Sequence, residues 1–230
     1  MEIPKAILDK IEEANKIKNF YSETRTEDEE KRELYNTFVK DLIPRDYINV
    51  NMDYYHFPKD SQVKGYLRNL KHNAKQGIGV FLHGKTGTGK TCFSYALIKN
   101  YIWQYILSRN PEKCHFTTFK HMQDSINASE DKEQTKRFYI GCSFLVIDEF
   151  CVDGELTVSE KKNLLEILNK RITNTDGRYG KPTSFTSNQT LENIKIMAGE
   201  AIHDRIIGNC LVHQFNSESR RTIENRLKLD

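Results

Sequence analysis

The 230-residue chain contains no apolar run approaching the roughly 18 residues that cross a bilayer, so no membrane-spanning helix is expected. Its start, MEIPKAILDKIEEANK, mixes acids with bases and lacks the basic head, apolar centre and small-residue cleavage site of a secretory leader. Export is therefore not indicated, and a cytoplasmic location is expected. Cysteine is sparse: Cys92, Cys114, Cys142, Cys151 and Cys210 are odd in number and widely spaced, with no C-x-x-C pair. That pattern excludes a sequence-evident zinc or redox centre and favours reduced thiols. An excess of one charge is also missing, since 35 Lys and Arg against 32 Asp and Glu leave +3. So small an excess marks a nucleic-acid binder only if the cations cluster on one face. There is no internal repeat and no low-complexity tract, which excludes solenoids and tails.

What remains is a length suited to one globular domain with a short appendage, because single cores commonly grow to about 100–200 residues before splitting. Ile3, Ile7, Ile11, Ala14 and Ile17 recur at helical spacing, and Pro4 suits a first helical turn, where its missing N–H costs nothing. Thr26 and Glu29 form a capping box for a second helix, whose stripe of Leu34, Tyr35, Phe38 and Leu42 ends at Pro44. Residues 1–43 are thus expected to be a helical, partner-binding appendage, and residues 44–230 the main domain. From Asp46 to Asp60 the chain reads as irregular, and Ser61–Gln76 as one helix with Val63, Leu67 and Leu70 on a face.

Five short runs rich in β-formers follow: Ile78–Leu82, His115–Phe119, Phe144–Ile147, Thr183–Thr186 and Leu211–Phe215. Helical patterns separate most of them, among them Lys90–Ile106 and Val158–Ile172, the latter opened by the capping box Thr157 and Glu160. Alternation of strand and helix predicts an α/β fold with a five-stranded, mostly parallel sheet covered on both faces.

The strand at Gly79–Leu82 leads directly into Gly84-Lys85-Thr86-Gly87-Thr88-Gly89-Lys90-Thr91, with Cys92 next in the helix. This is the eight-residue phosphate-loop pattern in the strand–loop–helix setting it requires. Glycines let successive backbone N–H groups turn inward on phosphate oxygens, and the following helix offers its positive end to the same anion. Lys90 would reach the β- and γ-phosphates, and the Thr91 hydroxyl would ligate Mg²⁺. A nucleotide triphosphatase also needs a carboxylate for its metal and a group to orient water. Ser143–Glu149 supplies both at a strand end: Asp148 as the metal-side acid and Glu149 as the residue that polarises water. Asn188 ends the polar strand Pro182–Asn188 and would hold water or γ-phosphate from the far side.

In this order the motifs resemble those of the DnaC and IstB group of AAA+ ATPases over most of residues 43–222. Ile43, Pro44, Arg45 and Tyr47 are similar to its entry segment, and the phosphate loop, LVIDEF, PTSFTSN and AIHDRIIGNCLVHQFNSESRR follow in the family's order. The resemblance implies an ATP- and Mg²⁺-dependent enzyme with an AAA+ core. It assigns Asn188 to sensor 1, Arg205 to an arginine finger acting on a neighbouring subunit, and Arg221 to sensor 2. The chain runs nine residues past Arg221, which implies little or no helical lid, and Ser217 stands where many relatives carry glycine.

By the same resemblance the expected role is a helicase loader in DNA replication. It would form a homo-oligomer on ATP or partner binding, with a hexameric replicative helicase and single-stranded DNA as partners. Lys161, Lys162, Lys170, Arg171, Arg178 and Lys181 are candidate DNA contacts, with Tyr179 available for stacking. Two alternatives stay open: an IstB-like transposition ATPase acting on duplex DNA, and a nucleotide-binding partner module with little turnover. A small-molecule kinase is disfavoured, because the chain after the fifth strand is too short to close a lid over an acceptor.

Overall fold

The computed structural model describes residues 27–52, 55, 61–105, 113–172 and 180–216. The first helical stripe, Arg178, Tyr179, Ser217 and Arg221 lie outside the described residues. Apolar alternation decides the architecture. In β1 (Gly79–Gly84), Val80 and Leu82 face one side of the sheet and Phe81 the other; in β3 (Phe144–Asp148), Phe144 and Val146 are set against Leu145 and Ile147. Every one of these side chains is fully buried, as expected for a sheet with helices on both faces.

With β2 (Cys114–Thr118), β4 (Thr183–Ser187) and β5 (Cys210–Phe215), the sheet has five strands in the order β2-β3-β4-β1-β5, all pairs parallel. The expectation of a mostly parallel sheet is met and exceeded. Parallel pairing brings the carboxyl ends of β1, β3 and β4 to one edge, so Gly84, Asp148 and Ser187 end side by side. That edge is where ligands bind in open α/β sheets.

One face is covered by α1 (Glu27–Leu42), the short α2 (Gln62–Arg68) and α3 (Leu70–Lys75), and α4 (Lys90–Tyr105), which share a core cluster with Val80, Leu82 and Phe215. Val39 and Ile43 are buried in that cluster, and Tyr35 meets Trp103 of α4 edge to face at 5.3 Å. The second expected helix is thus packed on the core along residues 27–42. The single helix expected over Ser61–Gln76 breaks at Asn69, whose φ is −107° and whose side-chain amide donates to the Gly65 carbonyl at 3.1 Å. A short polar side chain that competes for backbone acceptors explains the break.

The other face carries α5 (Phe119–Ala128), α6 (Lys132–Gly141), α7 (Val158–Ile172), α8 (Leu191–Ala198) and α9 (Glu200–Asn209) around Phe81, Ile147, Leu164, Phe185 and Ile206. The capping box predicted for α7 is formed: Thr157 N–H donates to Glu160 Oε2 at 2.8 Å, and Glu160 N–H to Thr157 Oγ1 at 3.3 Å. Among the described residues no helix is long and apolar enough to cross a membrane. The five cysteines carry free thiols, and no cluster of three or more His, Cys, Asp or Glu residues that could hold a metal ion occurs among the described residues.

Candidate functional site

The loop between β1 and α4 is built on a glycine that nothing else could replace. Gly84 adopts φ +140°, and a Cβ there would lie 2.3 Å from the Phe215 carbonyl oxygen on β5. Gly87 and Gly89 also take positive φ, at 84° and 99°. Thr88 is buried and its hydroxyl donates to the Lys85 carbonyl at 2.9 Å, closing the turn. Tyr55 reaches in from the preceding segment, donating its hydroxyl to the Gly89 carbonyl at 2.9 Å while its ring stands edge-on to Phe93 and Phe215.

Lys90 begins α4 and is 7% exposed. Its ammonium donates to Gly84 O at 2.7 Å, Lys85 O at 2.8 Å and Asn188 Oδ1 at 2.9 Å. The phosphate-loop lysine and the asparagine at the end of β4 are therefore brought together, 98 residues apart in sequence. Beside them the Thr91 hydroxyl donates to Asp148, 3.1 Å from Oδ2 and 3.3 Å from Oδ1. A hydroxyl and a buried carboxylate in contact are the hard oxygen donors that Mg²⁺ prefers, so Thr91 and Asp148 fit the metal that the motif implies.

Next to Asp148 the backbone turns sharply. Glu149 and Cys151 have φ of 56° and 55°, left-handed values that cost non-glycine residues on the order of 1 kcal/mol each. The end of β4 holds this turn: Phe150 N–H donates to Thr186 O at 2.8 Å, and the Ser187 hydroxyl to Phe150 O at 2.6 Å. The consequence is that Asp148 stays buried while the Glu149 side chain is exposed at the strand end. There it borders a polar cleft of about 320 Å³, whose walls include Thr118, Lys120, His121, Asp124 and Asp153. His83, one residue before the loop, has its pKa lowered by burial, with Glu192 opposing and the Lys90 charge reinforcing that shift.

The remaining expected residues are placed as follows. Arg205, on α9, is half-buried and donates Nε–H to Asn169 Oδ1 of α7 at 3.0 Å, outside the hydrogen-bond network of Lys90 and Asn188. Lys161 and Lys170 pair with Glu155 at 3.0 Å and Glu166 at 2.7 Å, and Lys162 is exposed. Lys181 donates to the Ile140 carbonyl at 3.0 Å.

Arg171 is a correction. It is fully buried and cannot touch DNA: Nε donates to Thr183 Oγ1 at 2.8 Å, Nη1 to the carbonyls of Tyr139 at 2.7 Å and Cys142 at 2.8 Å, and Nη2 to that of Pro182 at 2.7 Å. Its charge sits on the carbonyl-rich end of α6, where a helix concentrates negative potential, and burial pushes its pKa down to about 10. Sequence reasoning also passed over Lys99. From within α4 it donates to the carbonyls of Ile48 and, at 2.6 Å, Val50, fastening the irregular entry segment to the helix that carries Lys90. The one sequence signal for it was a lysine in an otherwise apolar helical run.

A parallel α/β sheet with a phosphate loop at its carboxyl edge, a lysine and threonine opening the next helix, and an acid on a neighbouring strand defines a P-loop nucleotide-binding protein. The family model described as IstB-like ATP binding protein matches residues 27–228, and the chain belongs to that family. No curated protein matches the chain. Among solved structures it is similar to DnaI, at 18% identity and TM-score 0.60 over 78% of this chain and 94% of that one. It is also similar to the DnaC helicase loader, at 21% identity and TM-score 0.58 over 75% and 100% of the two chains. DnaA from Aquifex aeolicus, bound to AMPPCP, matches at 11% identity and TM-score 0.56 over 74% and 50%. At these identities the likeness is one of fold, an AAA+-like core.

Proposed function

We propose that the chain is an ATP-switched helicase loader acting in DNA replication: ATP favours an assembled state that grips a hexameric helicase and single-stranded DNA, and hydrolysis releases it. The observation that supports ATP turnover most strongly is the convergence of Lys90, Thr91, Asp148 and Asn188 on one sheet edge, with the Glu149 side chain exposed beside them. In this reading Lys90 binds the β- and γ-phosphates, and Thr91 with Asp148 holds Mg²⁺, which neutralises phosphate charge when bound. Glu149 orients the attacking water, and Asn188 faces it from β4. Arg205 of one subunit forks onto the phosphoryl oxygens of the next, so assembly controls hydrolysis.

The loader role draws on similarity to the DnaC helicase loader across the whole of that chain. Residues 1–43 are assigned to the helicase. The test is co-elution of the purified protein with a hexameric helicase in the presence of ATP: full-length chain is expected to co-elute and a chain lacking residues 1–26 to lose it. Equal retention of the truncated chain would take residues 1–26 out of the helicase contact and leave α1 alone to carry it.

A second reading has its own observation, the IstB-like description of the matching family. It makes the chain a transposition ATPase that remodels duplex DNA. Stimulation of ATP hydrolysis by duplex far above single strands would favour it over the loader.

A further inference from the structure

We infer that Thr186 is a positioning residue of this site, joining the metal-side acid and the water-orienting acid into one unit through a single hydroxyl. The inference rests on the ATPase reading above. Thr186 is 2% exposed on β4, in the register position beside Asp148. Its hydroxyl donates to Asp148 Oδ1 and accepts the Glu149 backbone N–H at 3.2 Å. A threonine hydroxyl has one proton to give and two lone pairs to accept with, so both bonds are made at once without competing.

Each bond controls a different part of the chemistry. Asp148 already accepts from Thr91, at 3.1 Å through Oδ2 and 3.3 Å through Oδ1. The Thr186 proton fixes the carboxylate on its Oδ1 side, which sets the plane in which Asp148 can meet a cation. The Glu149 N–H bond adds a third tie from β4 to a turn in which Glu149 has φ 56°, beside those made by Phe150 and Ser187, and it steadies the direction in which the Glu149 side chain leaves the strand. Valine has the same shape as threonine but can neither donate nor accept. It would therefore leave Asp148 held by Thr91 but without its second hydroxyl donor and Glu149 N–H without its Thr186 acceptor, while β4 keeps its packing. Serine keeps the hydroxyl and loses only a methyl group.

The experiment compares wild type, Thr186→Val, Thr186→Ser and Lys90→Ala for binding of a fluorescent ATP analogue across a Mg²⁺ titration, and for steady-state hydrolysis. Thr186→Val is expected to bind the analogue without Mg²⁺ within about twofold of wild type, but to need at least about fivefold more Mg²⁺ for half-maximal tightening. Its kcat should fall at least about tenfold with KM for ATP changed less than about threefold, and Thr186→Ser should stay within about threefold of wild type throughout. If valine prevents folding, Thr186→Ala, which leaves room, carries the same two readouts. Thr186→Val with unaltered Mg²⁺ dependence and kcat overturns the inference, as does a Thr186→Ser variant as impaired as the valine one. A wild-type chain that binds no more analogue than Lys90→Ala sinks the ATPase reading and this inference with it, whereas an active wild type beside an unaffected valine variant sinks the inference alone.

Discussion

Lys90 and Arg205 illustrate two ways in which one positive charge can matter. Lys90 is buried with its ammonium held by two loop carbonyls and Asn188, at the position where a triphosphate tail would lie over a helix start. Lys90→Ala should weaken ATP binding on the order of 100-fold, read by titration with a fluorescent nucleotide, because a desolvated charge-assisted contact is lost. Arg205 is bonded to Asn169 instead and acts, in the proposed function, on a neighbour. Arg205→Ala should leave nucleotide binding intact and lower hydrolysis in mixed assemblies, by up to about 10³-fold if the finger role is complete. Equal loss in both assays would count against that role. At this scale the sequence was most legible where a motif names its own partner, as the glycine-lysine-threonine loop does. It was least legible for Thr186 and Lys99, whose partners Asp148 and Ile48 lie 38 and 51 residues away and carry no local signature.

Elements were readable wherever periodicity and caps agreed. Val158–Ile172 has the predicted limits because Thr157 and Glu160 satisfy its first N–H groups, and the strands fell within a residue or two of expectation, most plainly β1 and β3, whose apolar runs are buried on both faces. The break at Asn69 was not readable, since hydrophobic spacing continues through it and only a side-chain bond to Gly65 O divides the helix. Arg171 was misjudged for a related reason. A basic residue near a helix end looks solvated in one dimension, yet here it bridges α7, the end of α6 and the start of β4. Arg171→Ala would leave the Tyr139, Cys142 and Pro182 carbonyls without that donor and open a cavity. A stability loss of roughly 3 kcal/mol is expected by urea unfolding, and a loss near zero would show that other donors replace it.

At the scale of the whole molecule, three histidines whose charged form is disfavoured by burial set a pH dependence. His83, His115 and His213 all have their pKa lowered, in each case chiefly by burial, so between those values and the ordinary 6.5 the unfolded chain binds more protons than the folded one. Stability must then rise with pH through that window and fall as pH drops below 6.5. Urea midpoints at pH 7.5 should exceed those at pH 5.5, and His115→Phe, which keeps an aromatic ring against Phe138, should flatten the difference. A midpoint that climbs on acidification would contradict the burial argument. The central claim is that the β1–α4 loop takes a nucleoside triphosphate and that Glu149, the acid that follows β3, directs its hydrolysis. The most direct measurement is ATP binding and phosphate release by wild type and Glu149→Gln side by side with Mg²⁺. Glu149→Gln should bind ATP as wild type does while turnover falls by about 10²-fold or more; release of phosphate at the wild-type rate by the glutamine variant, or a wild type that does not bind ATP, would contradict it.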